Sequence, residues 1–211
     1  MKIQFESNLN YQDKAISSIV DIFEGQEVCQ SNFSIVRQQI KGKQQTSADY
    51  DDLGIGNRLE LLDDELLQNI QNIQLKNGLP QSKKLGSMDF SIEMETGTGK
   101  TYVYLKSIFE MNKKYGFTKF IIVVPSIAIK EGTKKTLEIT SEHFKTLFDN
   151  VNYDYFIYDS SNLEQVRDFA TSSDIRIMVI NIDAFRKSFS DPSKDTKANI
   201  FHRPQDKLNG L

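Results

Sequence analysis

The eight residues Met94-Glu95-Thr96-Gly97-Thr98-Gly99-Lys100-Thr101 constrain this chain more than any other stretch. They stand between an alternating apolar run, residues 90–94, that reads as a strand ending at Met94, and a run with helical periodicity, residues 101–115. Strand, glycine turn and helix in immediate succession predict a β-α unit with main-chain N–H groups turned into the bend. A polyphosphate needs several such groups, glycine lets it approach where side chains would block it, and the helix N-terminus adds its positive end. Lys100 can then reach the β- and γ-phosphates, and the Thr101 hydroxyl can join the shell of a bridging Mg²⁺. Glu95, Thr96, Gly97, Thr98, Gly99, Lys100, Thr101 and Tyr102 are the candidate lining residues, with Lys100 and Thr101 the candidates for a part in phosphoryl chemistry. Met94 stands where the general pattern has glycine, and as the last residue before the cradle it is expected to be tolerated. The competing reading is a Gly-rich turn carrying a surface lysine.

The remaining pattern places this unit in an α/β fold. Apolar runs at 119–124, 155–158 and 175–182 alternate with helical stretches at 127–148 and 163–170, a rhythm that predicts a parallel sheet covered by helices. Upstream, residues 10–23 read as a helix capped by Asn10, with Ala15, Ile16, Ile19, Val20 and Phe23 at helical spacing and Gly25 as its stop. From residue 25 to 87 the sequence is polar and Gln-rich, and Gly42, Gly54, Gly56, Gly78, Pro80 and Gly86 mark breaks. Within it, Leu59, Leu62, Leu66, Ile70 and Ile73 share a helical face that ends at Asn77-Gly78. Three parts are therefore expected: an arm (1–24), a partly helical insertion (25–87), and an incomplete nucleotide-binding lobe (88–211), whose last residues, 188–211, show no closing element.

Charge excludes a generally adhesive surface. Twenty-six Lys and Arg against 29 Asp and Glu give a net charge of −3, so any nucleic-acid contact must be local. The pairs Lys83-Lys84, Lys113-Lys114 and Lys134-Lys135 are too dispersed to form a track and read as solvated faces. One cysteine, Cys29, permits no internal disulfide; with no secretory leader and no apolar run long enough to span a bilayer, a soluble cytoplasmic protein is expected. His143 and His202 have no metal-ligand spacing around them and read as surface residues. The apolar runs ending at Asp159 and Asp183 carry no adjacent second acid, so each reads as a strand end or helix cap, and a hydrolytic acid is expected to be absent.

METGTGKT, the upstream pair Tyr11-Gln12, VVPSIAIKEG from Val123 and MVINIDAFRK from Met178 together resemble the superfamily two helicase-like motor of type III restriction endonucleases, the Res subunit. The resemblance implies a P-loop RecA-like lobe that binds ATP and Mg²⁺, with Gln12 reading adenine, since a carboxamide offers a donor and an acceptor to its N6/N7 edge. Phe5 would stack on the base. It further implies a DNA-facing surface in which Ser126 caps a helix, Lys130 adds a point charge and Asn181 lies near the tracked strand, although many related motors have threonine there. Implied partners are DNA and the DNA methyltransferase (modification) subunit. The family's acidic motif, second lobe and nuclease would follow Leu211, so this stretch is expected to bind ATP without cutting DNA. Two other classes remain open on the residues: a small P-loop kinase or phosphotransferase, for which Arg167, Arg176, Arg186 and Arg203 supply no clustered clamp, and a noncatalytic nucleotide-binding interaction module.

Overall fold

A computed structural model describes residues 9–28, 30–35, 52–159 and 162–186. In chain order they form α1 (Asn10–Val20), which runs into a 3₁₀ turn (Asp21–Phe23), strands β1 (Gln30–Ile35) and β2 (Asp52–Asn57), α2 (Asp63–Lys76), α3 (Lys100–Tyr115), β3 (Lys119–Val124), α4 (Ile127–Leu147), β4 (Tyr153–Ile157), α5 (Leu163–Thr171), β5 (Ile175–Asn181) and the single turn α6 (Asp183–Arg186).

The expected α/β architecture is the observed one. β3, β5 and β4 lie side by side in that order, both pairs parallel, with Ile177 opposite Phe120 on one side and Tyr155 on the other. β5 is central because its sequence has no polar face: Ile175, Ile177, Met178, Val179 and Ile180 are all buried, as a strand covered on both sides must be. One sheet face, built from Phe120, Ile122 and Val124, Ile175, Ile177 and Val179, and Tyr153, Tyr155 and Ile157, packs under α3 and α4. On the opposite face Phe156 meets Phe169 of α5 edge-on, while Ile121 and Val123 of β3 are half exposed.

Helix α3 joins two apolar clusters. Tyr102, Leu105, Ile108 and Phe109 face the sheet and α4, and Val103 and Tyr115 face α1. At the centre of the first cluster Phe144 is fully buried, its ring stacked on Tyr102 at 5.5 Å and on Phe109 at 4.8 Å. Gly116 ends α3 in the left-handed conformation (φ 72°), donating its N–H to Asn112.

Several local expectations are corrected. Asn10 does not cap α1; it is already helical, and Leu9, which has no side-chain oxygen to offer, is the cap residue. Of the five residues expected on the α2 face, only Leu66 is fully buried, since Leu59 and Leu62 precede the first helical residue and are exposed. Gly54 and Gly56 do not break the chain. They lie within β2, opposite Phe33 and Ser31 of β1 in an antiparallel hairpin. Two carboxamides fasten this region: Gln26 donates to Arg58 O and accepts from Glu60 N, and Asn57 accepts from Thr118 N and Lys119 N while donating to Lys119 O. Asn57 thus gives the outer edge of β3 the bonds that a neighbouring strand would supply. Phe5, Cys29 and His202 lie outside the described residues.

The expected strand at residues 90–94 does not form. Its alternation is genuine, but a strand exists only through a partner's N–H and C=O groups, and among the described residues neither sheet includes it. The stretch instead runs beside a groove of about 1560 Å³ lined by α1, α2 and residues 82–95, with Phe90 and Ile92 partly exposed and Met94 packed on the α1–α3 cluster.

Phe144→Ala removes the ring that holds α3 to α4 and should cost about 3–5 kcal/mol in urea unfolding, whereas Leu75→Ala, at an exposed position on α2, should change stability by no more than about 0.5 kcal/mol.

Candidate functional site

The glycine turn is built from its own main chain outward. Gly97 and Gly99 hold φ values of 82° and 83°, a region that residues with a Cβ rarely occupy, so the turn depends on glycine at both. Beyond Gly99 the chain enters α3 at once, and Val103 N donates to Gly99 O in the first helical bond. Thr98 Oγ1 donates to Glu95 O at 2.7 Å, closing the turn across its base. Without a strand behind it, the loop is held by two side chains. Lys100 Nζ donates to Met94 O at 2.6 Å and Glu95 O at 2.7 Å, folding its ammonium back over the turn. From α1, Gln12 Nε2 donates to Thr98 O at 2.9 Å.

The contact with Gln12 is close. A Cβ on Gly99 would stand 2.6 Å from Gln12 Nε2, whereas one on Gly97 would meet nothing within 4 Å. Gly99 is therefore required for its φ, and a Cβ there would in addition push the Gln12 tip off Thr98 O. Gln12 is itself buried, an uncommon place for a carboxamide, and its bond to the loop is what makes burial tolerable. Met94 packs its side chain on the α1–α3 cluster.

A polar seam lies beneath the loop. Tyr102 and Lys106 are one helical turn apart on α3. Tyr102 Oη bonds His143 Nε2 of α4 at 2.9 Å, and Lys106 Nζ donates to Asp13 Oδ1 of α1 at 3.0 Å. Burial, followed by the neighbouring Lys106 cation, lowers the His143 pKa below its ordinary 6.5. Burial and then the Asp13 carboxylate raise that of Tyr102. These shifts favour a neutral imidazole beside a neutral phenol, with the imidazole tautomer setting which of the two donates. His143 is thus a partner of Tyr102 rather than the surface residue expected from sequence, and the Tyr102 ring is committed to Phe144 and the core.

The other candidates gather at the C-terminal edge of the sheet. β3 and β5 end in register, Val124 beside Asn181, and Ile182 N donates to Val124 O. Ser126 follows β3 and caps α4, its Oγ accepting from Ile129 N at 3.3 Å. Lys130, one turn on, lies 3.7 Å from Glu131. Asn181 Oδ1 accepts from Asp183 N, so its side chain serves the turn into α6. The structure brings Gln12, Met94, Glu95, Thr98, Gly99 and Lys100 together at the loop and Ser126 and Asn181 onto neighbouring strand ends. Among the described residues no group of His, Cys, Asp and Glu could hold a metal ion by itself, and no helix is long and apolar enough to cross a membrane. The Asp13–Lys106 pair escaped sequence reading. Its one trace is that Lys106 falls a helical turn after Tyr102, while Asp13 adjoins Gln12.

Comparison with known proteins identifies the family of the sequence. The profile of the family described as type III restriction enzyme, res subunit, matches residues 8–203. The Res subunit of the type III restriction-modification enzyme EcoP15I from Escherichia coli is 33% identical over 174 residues, covering 72% of this chain and 18% of that protein. The EcoPI Res subunit from Escherichia phage P1 is 29% identical over 196 residues, 84% of this chain and 19% of the relative. The StyLTI Res subunit from Salmonella typhimurium is 45% identical over 64 residues, 29% of this chain and 6% of the relative. The chain spans less than a fifth of the length of the first two.

Gly97→Ala and Gly99→Ala should each strain the backbone by about 1 kcal/mol or more, and Gly99→Ala should exceed Gly97→Ala only by the cost of moving the Gln12 tip off Thr98 O, about 0.5–1.5 kcal/mol. Combining Gly99→Ala with Gln12→Ala should remove that excess in a double-mutant cycle read by thermal unfolding. His143 generates a second expectation. The folded chain binds the imidazole proton less tightly than the unfolded chain, whose pKa is near 6.5. Its contribution to stability is therefore complete above that pH and falls as the pH drops below it. Between about pH 5 and 7, His143→Gln should flatten the stability–pH curve relative to the parent chain.

Proposed function

Because the chain belongs to the family of type III restriction enzyme Res subunits, we propose that it is the ATP-binding first lobe of a DNA-dependent motor, which in the whole enzyme couples ATP hydrolysis to DNA cleavage. Its parts are an arm carrying the adenine-reading Gln12 (1–24), an insertion (25–87) and the incomplete RecA-like lobe (88–211). The whole protein works on DNA in the cytoplasm with a DNA methyltransferase as its modification partner.

The observation that carries this reading is the junction of Gly99, Gln12 and Lys100. A left-handed glycine at the start of α3 brings the Gln12 carboxamide and the Lys100 ammonium to one short turn of main chain. A folded-back ammonium that rests on the Met94 and Glu95 carbonyls is a charge available to phosphate oxygens, which bind it more strongly than neutral acceptors do. These residues fit a nucleoside triphosphate with Mg²⁺. Main-chain groups from Glu95 to Tyr102 would cradle the phosphates, Lys100 would neutralise the β- and γ-phosphates, and the Thr101 hydroxyl would hold the metal. Bound Mg²⁺ would supply charge neutralisation between those phosphates. Gln12 spends one Nε2 hydrogen on Thr98 O, and a carboxamide retains a second hydrogen and its oxygen for the adenine edge. Lys100 and Thr101 are the residues of this chain with a direct part at the phosphates.

The DNA-facing surface in this reading is the C-terminal edge of the sheet. Ser126 caps the N-terminus of α4, a favourable end for a phosphodiester, and Lys130 adds a cation in the first turn. Asn181 lies on the adjacent strand end.

Titration of the 211-residue chain with Mg·ATP should give saturable binding that Lys100→Ala weakens by about tenfold or more. The melting temperature should fall only slightly, because Lys100 is exposed and the two bonds it gives up are local to the loop. Equal binding by both proteins would remove the phosphate-loop assignment.

A further inference from the structure

The ion pair between α1 and α3 has a more specific task than holding two helices together. Helix α1 has no side-chain cap: the amides of Gln12 and Asp13 both reach back to Leu9 O, at 2.8 and 3.0 Å, so its own sequence does not fix how the first turn is presented. Two neighbouring residues in that turn are tied to different places. Gln12 bonds the loop at Thr98 O, and Asp13 bonds Lys106, which is only 7% exposed. Successive residues point about 100° apart around a helix, so two anchors on adjacent residues set the presentation of the first turn more tightly than one, on a helix whose later turns are already seated by Ala15, Ile16 and Val20 against α3. The far end of α1 is held separately, by Tyr115 Oη donating to Val20 O and by Lys114 on Asp21. Lys106 is buried along its length and its ammonium meets Asp13 at the rim of the helix pair, where Asp13 is about half exposed.

We propose that Asp13 and Lys106 are positioning residues of the nucleotide site: their ion pair sets the presentation of the first turn of α1 so that the Gln12 carboxamide stands at the loop, and it thereby tunes selectivity for the base. The inference rests on the reading of Gln12 and the loop given above. Neither residue touches the nucleotide. Lys106 lies six positions beyond Lys100 on the same helix, so the pair also ties the base-reading residue and the phosphate-reading residue to one rigid element.

The test compares two ligands on the 211-residue chain, Mg·ATP and Mg·tripolyphosphate, the second offering the loop its phosphates but Gln12 no base. Asp13→Asn and Lys106→Met should each weaken ATP by roughly five- to tenfold while tripolyphosphate changes by less than about twofold. Asp13→Glu, which keeps the charge, should restore most of the ATP affinity. Gln12→Ala should weaken ATP at least as much, with a smaller loss of tripolyphosphate binding because the Gln12 bond to Thr98 O goes too, and adding Asp13→Asn to it should cost nothing further, since the positioned group is already gone. If Gln12→Ala weakens ATP but Asp13→Asn and Lys106→Met do not, the positioning role is wrong and the nucleotide reading stands. A parallel loss of both ligands with a lowered melting temperature would reduce the pair to a structural tie and overturn the proposal. If Gln12→Ala leaves the preference for ATP over tripolyphosphate intact, the reading of Gln12 falls and the proposal falls with it.

Discussion

Helix α3 starts at the glycine turn, and where it points is decided by what its flanks bury. On one side Tyr102, Leu105, Ile108 and Phe109 pack against the sheet and the aromatic column of α4, and on the other Val103 and Tyr115 pack against α1. A helix buried along two flanks cannot rotate without exposing one set or the other, at about 25 cal/mol for each Å² of apolar surface exposed. That constraint fixes the first residue after Gly99, and with it the direction in which the loop opens. A phosphate site made of main-chain groups has to be rigid, since each misplaced N–H loses its bond in full. Rigidity comes here from the helix behind the loop.

The front of the loop depends on polar ties. Where a strand would have held residues 90–94, the structure uses Lys100 on two carbonyls and Gln12 on a third. These bonds differ in kind from the packing of α3. Hydrophobic burial is indifferent to a ligand, but a lysine resting on neutral carbonyls has a stronger partner waiting in any phosphate. In the proposed function the two Lys100 bonds would be exchanged for phosphate oxygens, while the Gln12 bond to Thr98 O stays. Below it, Tyr102–His143 and Asp13–Lys106 link α3 to α4 and to α1, so the helix that begins at Ser126 and the helix that carries Gln12 share one element.

How much of this was legible in the sequence depended on whether the signal was local. β3 was read with its bounds intact, and β5 and α5 to within a residue, because a continuous apolar run or a helical period is written into consecutive residues. The glycine turn was legible for the same reason. The strand expected at 90–94 was misread because alternation specifies a face, while a ladder needs a partner that local sequence does not name. Gly54 and Gly56 were taken for breaks, yet strand β2 contains both, since pairing with β1 outweighs their weak propensity. His143 and the Asp13–Lys106 pair were hidden altogether: their partners lie 41 and 93 positions away, and only the packed helices bring them together. Gln12 was singled out through resemblance, but its burial against Gly99 is a tertiary fact.

The central claim is that the bend from Met94 to Thr101 is shaped for a triphosphate, with Lys100 exchanging its carbonyl partners for phosphate oxygens. A crystal structure of the 211-residue chain with Mg²⁺ and a non-hydrolysable ATP analogue addresses it directly. The account requires Lys100 Nζ to leave Met94 O and Glu95 O for the β- and γ-phosphates, with Gly97 and Gly99 keeping their left-handed conformation. An analogue bound elsewhere, with the ammonium still resting on those carbonyls, would contradict it.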